Sequence, residues 1–202
     1  MRKSLLMPVT VIALVAGWAA AGRAANIVQN PGFEADTITL SNPTVSPPAE
    51  WTATGNVGVD SAFPNTGNND AFIGTGTLSQ TLTTVIGTSY TISFFVSVND
   101  FNLFADPSAT FDATFGGVDL LSGGISPEFV AFGAYTEFSD TVVANSVSTE
   151  LSFTGVTDSP DGPWYLDDVD VEAQSSEVPE PSGALLLLLA IVSLVIVRRR
   201  MA

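Results

Sequence analysis

The chain has no cysteine and no histidine, and between Ala24 and Val197 it has no lysine or arginine. Its six basic residues are Arg2, Lys3 and Arg23 near the start and Arg198, Arg199 and Arg200 at the finish, whereas all 21 Asp and Glu lie between them. Each absence removes a class of chemistry. Without cysteine, no disulfide forms, so stability in an oxidising compartment rests on packing and bound ions. Ser–His–Asp and Cys–His catalysis, His-rich zinc sites and lysine Schiff bases are excluded from the interior. No arginine means no phosphate clamp, and nothing there neutralises a nucleic acid backbone. No internal salt bridge can form either. The self-repulsion of the acidic interior must be tolerated, screened by salt or offset by bound cations. The bland reading of that acidity is solubility at a cell surface, and the specific one is a need for divalent cations. Gly74-Thr75-Gly76 lacks the third glycine and the helix of a phosphate-binding loop. What remains is carboxylate chemistry, either glycosidase-like acid–base pairs or hard-cation sites.

Each basic cluster borders an apolar run. Arg2 and Lys3 precede the largely apolar Leu5–Ala21, and Gly22 and Ala24 supply the small residues that precede a cut after Ala24. A cut after Ala21 also fits. Residues 1–24 therefore read as a secretory signal peptide. At the other end, residues 174–182 form a polar, Pro-containing linker, and residues 183–197 carry no charge and include five consecutive leucines, Leu185–Leu189. Fifteen helical residues span about 22 Å, short of the roughly 30 Å hydrocarbon core. With Pro179–Ser182 and snorkelling arginines included, the segment just suffices as a transmembrane helix. The positive-inside rule keeps the basic tail, residues 198–202, cytoplasmic and leaves the acidic body outside.

Val178-Pro179-Glu180-Pro181-Ser182, followed by the apolar run and Arg198, Arg199 and Arg200, resembles the PEP-CTERM sorting signal, a tail also called the ice-binding-protein C-terminal domain. The resemblance covers about 25 residues. It implies a Gram-negative, exopolysaccharide-producing host in which an exosortase recognises the Pro-Glu-Pro motif and processes the tail. The ice-binding label gives no reason to expect ice binding.

The body, residues 25–173, is the size of one domain. Its pattern is β throughout. Over Tyr90–Val98, Tyr90, Ile92, Phe94, Val96 and Val98 share one face, with Thr91, Ser93, Phe95 and Ser97 on the other. Phe111, Ala113 and Phe115 alternate likewise, and Gly116-Gly117 reads as a hairpin turn into Val118–Leu121. Thr149, Leu151 and Phe153 define another strand, and Leu78–Leu82, Tyr135–Val143 and Trp164–Val171 are further candidates. Turn-forming clusters at Ser41–Pro48, Pro64–Asp70, Gly123-Gly124 and Asp158–Pro163 separate them. This spacing predicts a sandwich or barrel.

Asn30-Pro31-Gly32-Phe33-Glu34, Trp51 after a loop, and Trp164-Tyr165-Leu166-Asp167-Asp168-Val169 at the close are similar to the bracket of galactose-binding-like jelly rolls, a group that includes carbohydrate-binding modules. The resemblance implies a single antiparallel jelly-roll sandwich with adjacent first and last strands and, where they meet, a structural calcium. Carried over by motif, its ligands are Glu34, Asp167 and Asp168, with Asp36 in reserve. Leu166 and Val169 are three apart, so burial of both requires a bulge, which is one way to aim both carboxylates together. The alternative is that these acids end a strand in solvent. The stretch Asp158–Asp170 lacks the spacing of an EF-hand loop.

For a glycan, Trp51, Phe63, Tyr135 and Trp164 are the candidate ring faces, with Asn65, Asn68, Asn69 and Asp70 as polar neighbours; core packing is the competing role for each aromatic. Phe101 and Phe104 suggest an exposed rim. The resulting expectation is an exported, non-enzymatic surface or matrix protein that binds polysaccharide. Its expected partners are the membrane and an exosortase. A purely architectural protein and a weak carboxylate glycoside hydrolase are the alternatives.

Overall fold

The computed structural model describes residues 24–39, 44–98, 108–130, 132–157 and 163–174. The expected signal peptide up to Arg23, the linker beyond Gln174, the sorting motif, the apolar run and the basic tail lie outside these residues, as do Phe101 and Phe104. No helix among the described residues is long and apolar enough to cross a membrane.

Alternation builds the strands. In β3, Ser89–Val98, the five residues assigned to the core are buried, and Thr91, Ser93 and Phe95 face the other way; Ser97 is buried as well. β4, Thr110–Phe115, turns at Gly116 and Gly117, with φ of 59° and 79°, into β5, Val118–Asp119. Both turn positions need φ > 0, which glycine adopts at little steric cost. β6 spans Thr136–Val143, β7 Ser148–Val156 and β8 Trp164–Ala173. Two elements go beyond the expectation: β1, Thr52–Asp60, and the first half of β2, Asp70–Thr83.

β2 is the hinge of the architecture. All strand pairs are antiparallel, in the order β5-β4-β7-β2-β8-β3-β6, with β1 also on β2. Ala71–Ile73 pair with β8, whereas Gly76–Thr83 pair with β7, so one strand serves two layers. Glycines make the corner. A Cβ on Gly76 would lie 2.3 Å from the Thr54 carbonyl oxygen, and one on Gly155 2.5 Å from that of Gly74. The backbones approach more closely there than a side chain permits.

Because the sheet folds on β2, rings from strands distant in the pairing order meet. Phe94 of β3 packs edge-on to Phe153 of β7 at 5.0 Å, Phe111 of β4 lies 5.5 Å from Trp164 of β8, and Tyr90 of β3 lies 6.0 Å from Phe115 of β4. This is an antiparallel sandwich of jelly-roll type, as expected. Each such buried ring contributes about 1.5–3 kcal/mol of burial free energy.

The first described residues run beside β8. Ile27 N–H donates to the Val171 carbonyl at 3.0 Å and Val169 N–H to that of Pro31 at 2.9 Å. Asn26 seals the seam: its Nδ2 donates to Val169 O at 2.9 Å, and its Oδ1 accepts Val171 N–H at 3.0 Å. The expected adjacency of the two ends is present, although residues 26–31 form no regular strand.

Candidate functional site: a clamped amide loop and an aromatic face

The seam places the turn at residues 30–36 against the middle of β8. There, Leu166 and Val169 are both buried and Asp168 has φ 50°, a left-handed backbone. The pairing with β3 shifts register at the same level, between Ser93 and Phe95. The bulge inferred from the spacing is present.

Its consequence is a clamp. The Asp167 carboxylate is fully buried, and its Oδ2 accepts the N–H groups of Asn65 at 2.9 Å and Thr66 at 3.1 Å. Asp168 accepts Asn65 Nδ2 at 2.8 Å and the Thr66 hydroxyl at 2.6 Å. Glu34, from the turn, takes the rest of the loop: its Oε1 accepts the N–H groups of Asn68 at 2.7 Å and Asn69 at 2.8 Å. Asn69 is buried and donates through Nδ2 to the carbonyls of Phe33 and Asp36. Gly67, at the apex with φ 67°, leaves the room that Glu34 occupies, since a Cβ there would fall 2.3 Å from Glu34 Oε1.

Burial and hydrogen bonding set the protonation of the clamp. Burial alone would raise Glu34, but the Asn68 and Asn69 N–H groups and the Asn68 amide hold it below the ordinary value. For Asp167, burial outweighs the N–H donors of Thr66, Asp168 and Asn65, and with the Asp168 charge pushes it up to about 7. Asp36 stands apart; it accepts Ala49 N–H at 3.1 Å and Asn30 Nδ2 at 3.2 Å.

The carboxylates also bear on calcium. Hard oxygens are the right donors, and Asp167 Oδ1 and Asp168 Oδ1 both face Gly32, each 3.7 Å from where a Cβ on it would lie. Among the described residues no three Asp or Glu gather closely enough to hold an ion alone, so a calcium here would draw on backbone carbonyls as well.

The same loop carries an aromatic face. Phe63 stacks on Tyr135 at 5.8 Å and 16°, and Tyr165 tilts against Phe63 at 5.8 Å. All three are half-buried. The Tyr135 hydroxyl donates to the Phe63 carbonyl at 2.8 Å and lies 3.5 Å from Asp70 Oδ2. Burial, then the nearby Asp70 and Asp167, push that phenol upward, so it stays a protonated donor. Asn65, Thr66, Gly67 and Asn68, which follow Phe63 and Pro64 in the chain, are exposed. The arrangement offers apolar ring surface beside amides and hydroxyls, the composition of a surface that fits a polyhydroxylated ligand.

Two expected ring faces are corrected. Trp51 is 5% exposed, packed on Phe33 and Phe153, with its Nε1 donating to Asn30 O, and Trp164 is fully buried against Phe111. Neither ring can receive a ligand; both are core. Sequence reasoning missed Tyr165, whose outward position follows from the alternation Trp164-in, Tyr165-out.

Asp70 was read as a loop hydrogen-bonder, but it begins β2 as a buried residue opposite Asp60 in β1. Burial and the Asp60 charge, opposed by Phe63 N–H and aided by a hydrogen bond with Asp60 and the Asp167 charge, raise it to about 8. The two carboxyls touch rather than flank a space for a sugar, which is not the 5–9 Å separation of a glycosidase pair.

No family model matches the chain, and no curated protein matches it. Solved structures share the fold. A Stig cyclase from Fischerella sp. TAU with an indole ligand is similar at TM-score 0.52 and 17% identity, over 76% of this chain and 98% of that one. TmCBM61 in complex with beta-1,4-galactotriose gives 0.46 and 16% over 75% and 100%. The CBM22-1 xylan-binding domain of Paenibacillus barcinonensis Xyn10C gives 0.47 and 15% over 76% and 97%. At these identities the likeness is one of fold alone.

Proposed function

We propose that this chain is a non-catalytic, exported surface or matrix protein whose sandwich binds polysaccharide on the face formed by Phe63, Tyr135 and Tyr165 with the Asn65–Asn68 loop. The observation that carries this is the stacked Phe63–Tyr135 pair, half-exposed and fixed beside an exposed amide loop. Such a pair loses little freedom on binding, because both rings are already positioned. Export by residues 1–24 and sorting by the Pro179-Glu180-Pro181 tail, with an exosortase and the membrane as partners, complete the reading. They are supported by the residue pattern of the two ends. A structural calcium that draws on Glu34, Asp167 and Asp168 together with backbone carbonyls belongs to the same proposal; it would stiffen the loop and offset carboxylate repulsion.

The experiment is a glycan array including the host's own exopolysaccharide, probed with the wild-type chain and with Tyr135→Ala. Binding by the wild type that falls by about tenfold or more, equivalent to about 1.4 kcal/mol, in the variant supports the reading. No binding to any glycan, or binding indifferent to Tyr135, removes it.

A further inference from the structure

The two ends of the sandwich differ in character. Asp60, the last residue of β1, lies opposite Asp70 at the start of β2, and Asp167 lies in the first half of β8, Trp164–Ala173. The far end is built by the turns after β2 and after β6. They are laced together: Thr84 N–H donates to Val147 O at 3.1 Å, Gly87 N–H to Ala144 O at 2.8 Å, and the Thr84 hydroxyl to Ser146 O at 2.7 Å. The tips of these turns carry aliphatic side chains in solvent. Val85 is 63% exposed, Ile86 62%, Val147 62% and Val143 56%. Neither Thr84–Ser89 nor Val142–Thr149 contains a charged residue, and Thr84–Ser89 lies within the uncharged stretch 71–99. Asp140, Glu150 and Glu172 are set back in the strands, and Glu50 lines a cavity beside Gln80–Thr83 at the end of β2.

The chain leaves the domain at this same end. Gln174 N–H donates to Ser89 O at 2.8 Å, and its Nε2 reaches Thr91 and Thr141 at 3.1 and 3.3 Å. From there only the eight residues Ser175–Ser182 precede the uncharged run 183–197, a reach of at most about 28 Å. If that run sits in a bilayer, the tether holds the uncharged aliphatic tips toward the lipid and the acidic groups away from it.

We propose that Val85, Ile86, Val143 and Val147 form a lipid-resting surface that seats the domain on the bilayer, presenting the Phe63–Tyr135 face outward. The inference rests on the membrane anchoring proposed above. Burying aliphatic tips in the interfacial region is favourable in proportion to their apolar area, and the absence of charge removes the desolvation cost. A protein with this excess of carboxylates would be repelled by an anionic surface, so a zwitterionic bilayer is the suitable probe.

The lack of native cysteine makes the test direct. Single replacements Ile86→Cys, Val147→Cys and, as a reference beside the aromatic face, Ala62→Cys are made in the full chain. Each is labelled with an environment-sensitive fluorophore and reconstituted in phosphatidylcholine vesicles with and without lipid-borne spin-label quenchers. All three positions are exposed, so labelling leaves the core intact. Blue-shifted emission and strong lipid-dependent quenching at 86 and 147, but not at 62, is the expected result. Emission typical of water at 86 and 147 in a chain that floats with the vesicles overturns this inference alone. A blue shift without lipid quenching overturns it as well, because protein, either a second copy or the chain's own apolar run, then covers the tips. Failure of the chain to float with the vesicles overturns both this inference and the anchoring reading.

Discussion

Glu34 and Asp167, 133 positions apart in the chain, grip the two halves of one loop: Glu34 takes the N–H groups of Asn68 and Asn69, and Asp167 those of Asn65 and Thr66. Removing either acceptor takes the carboxylate partner from two backbone N–H donors. Asp167→Ala is expected to cost about 1–3 kcal/mol, the penalty of lost charge-assisted hydrogen bonds at a buried site. Glu34→Ala, at an exposed position, is expected to cost about 1 kcal/mol or less, since water replaces the carboxylate. Thermal denaturation and proteolysis at residues 65–69 check both, and equal melting of all three proteins would show that the clamp does not hold the loop.

Gly67→Ala tests the same clamp from the loop side. The new Cβ meets Glu34 Oε1, and φ of 67° is unfavourable for alanine. A loss of about 1–2 kcal/mol with faster loop proteolysis is expected, from strain of this kind. Gly117→Ala, at φ 79° but with open space around it, separates backbone strain from the clash.

Asp70 and Asp167 give the domain an acid-leaning stability. Both have folded values, about 8 and about 7, above the roughly 3.9 of an unfolded aspartate. Between about pH 4 and pH 8 the folded state therefore binds more protons than the unfolded state, and stability falls as pH rises through that window. Glu34 acts oppositely, because its lowered value makes its contribution fade as pH falls through the carboxylate range. Maximum stability is expected on the mildly acidic side of neutrality. Asp70→Asn, which removes one deprotonation, should flatten the decline and exceed the wild type at pH 8. A wild-type melting temperature that rises steadily from pH 5 to pH 8 contradicts this.

Calcium is expected to raise the melting temperature of the chain, and a chelator to lower it, with the effect reduced in Glu34→Gln and Asp168→Asn. Any stabilisation scales as the logarithm of free ion over Kd. Superimposable melting curves with calcium and with chelator would remove the ion from the account.

The legible part of the fold was the part written in period two. Tyr90–Val98 alternates over its whole length and lies as the pattern requires, and the Leu166–Val169 spacing alone calls for the bulge. β1 and the start of β2 stayed hidden because Gly55, Gly58, Gly74 and Gly76 interrupt their apolar pattern; Gly55 and Gly76 make room for neighbouring backbone, Gly58 and Gly74 for the Phe72 and Asn56 side chains, and their spacing imitates loop sequence. Of the site, Glu34, Asp167 and Asp168 were visible as motif acids, whereas their role as hydrogen-bond acceptors for Asn65–Asn69 depends on contacts about 30 to 100 residues apart. Trp51 and Trp164 attracted attention as large rings, but size alone does not distinguish a core ring from a binding face. Asp60 gave no signal and Asp70 only that of a polar loop residue, since only the pairing of β1 with β2 brings them together.

The most direct test is the affinity of the intact chain for the host's exopolysaccharide, compared with Phe63→Ala, Tyr135→Ala and Tyr165→Ala at matched folding. Substitutions confined to the aromatic face should weaken binding by about tenfold or more each, while Ile86→Ser at the far end leaves it unchanged. Undiminished binding in all three aromatic variants, or no binding by the wild type, contradicts the account.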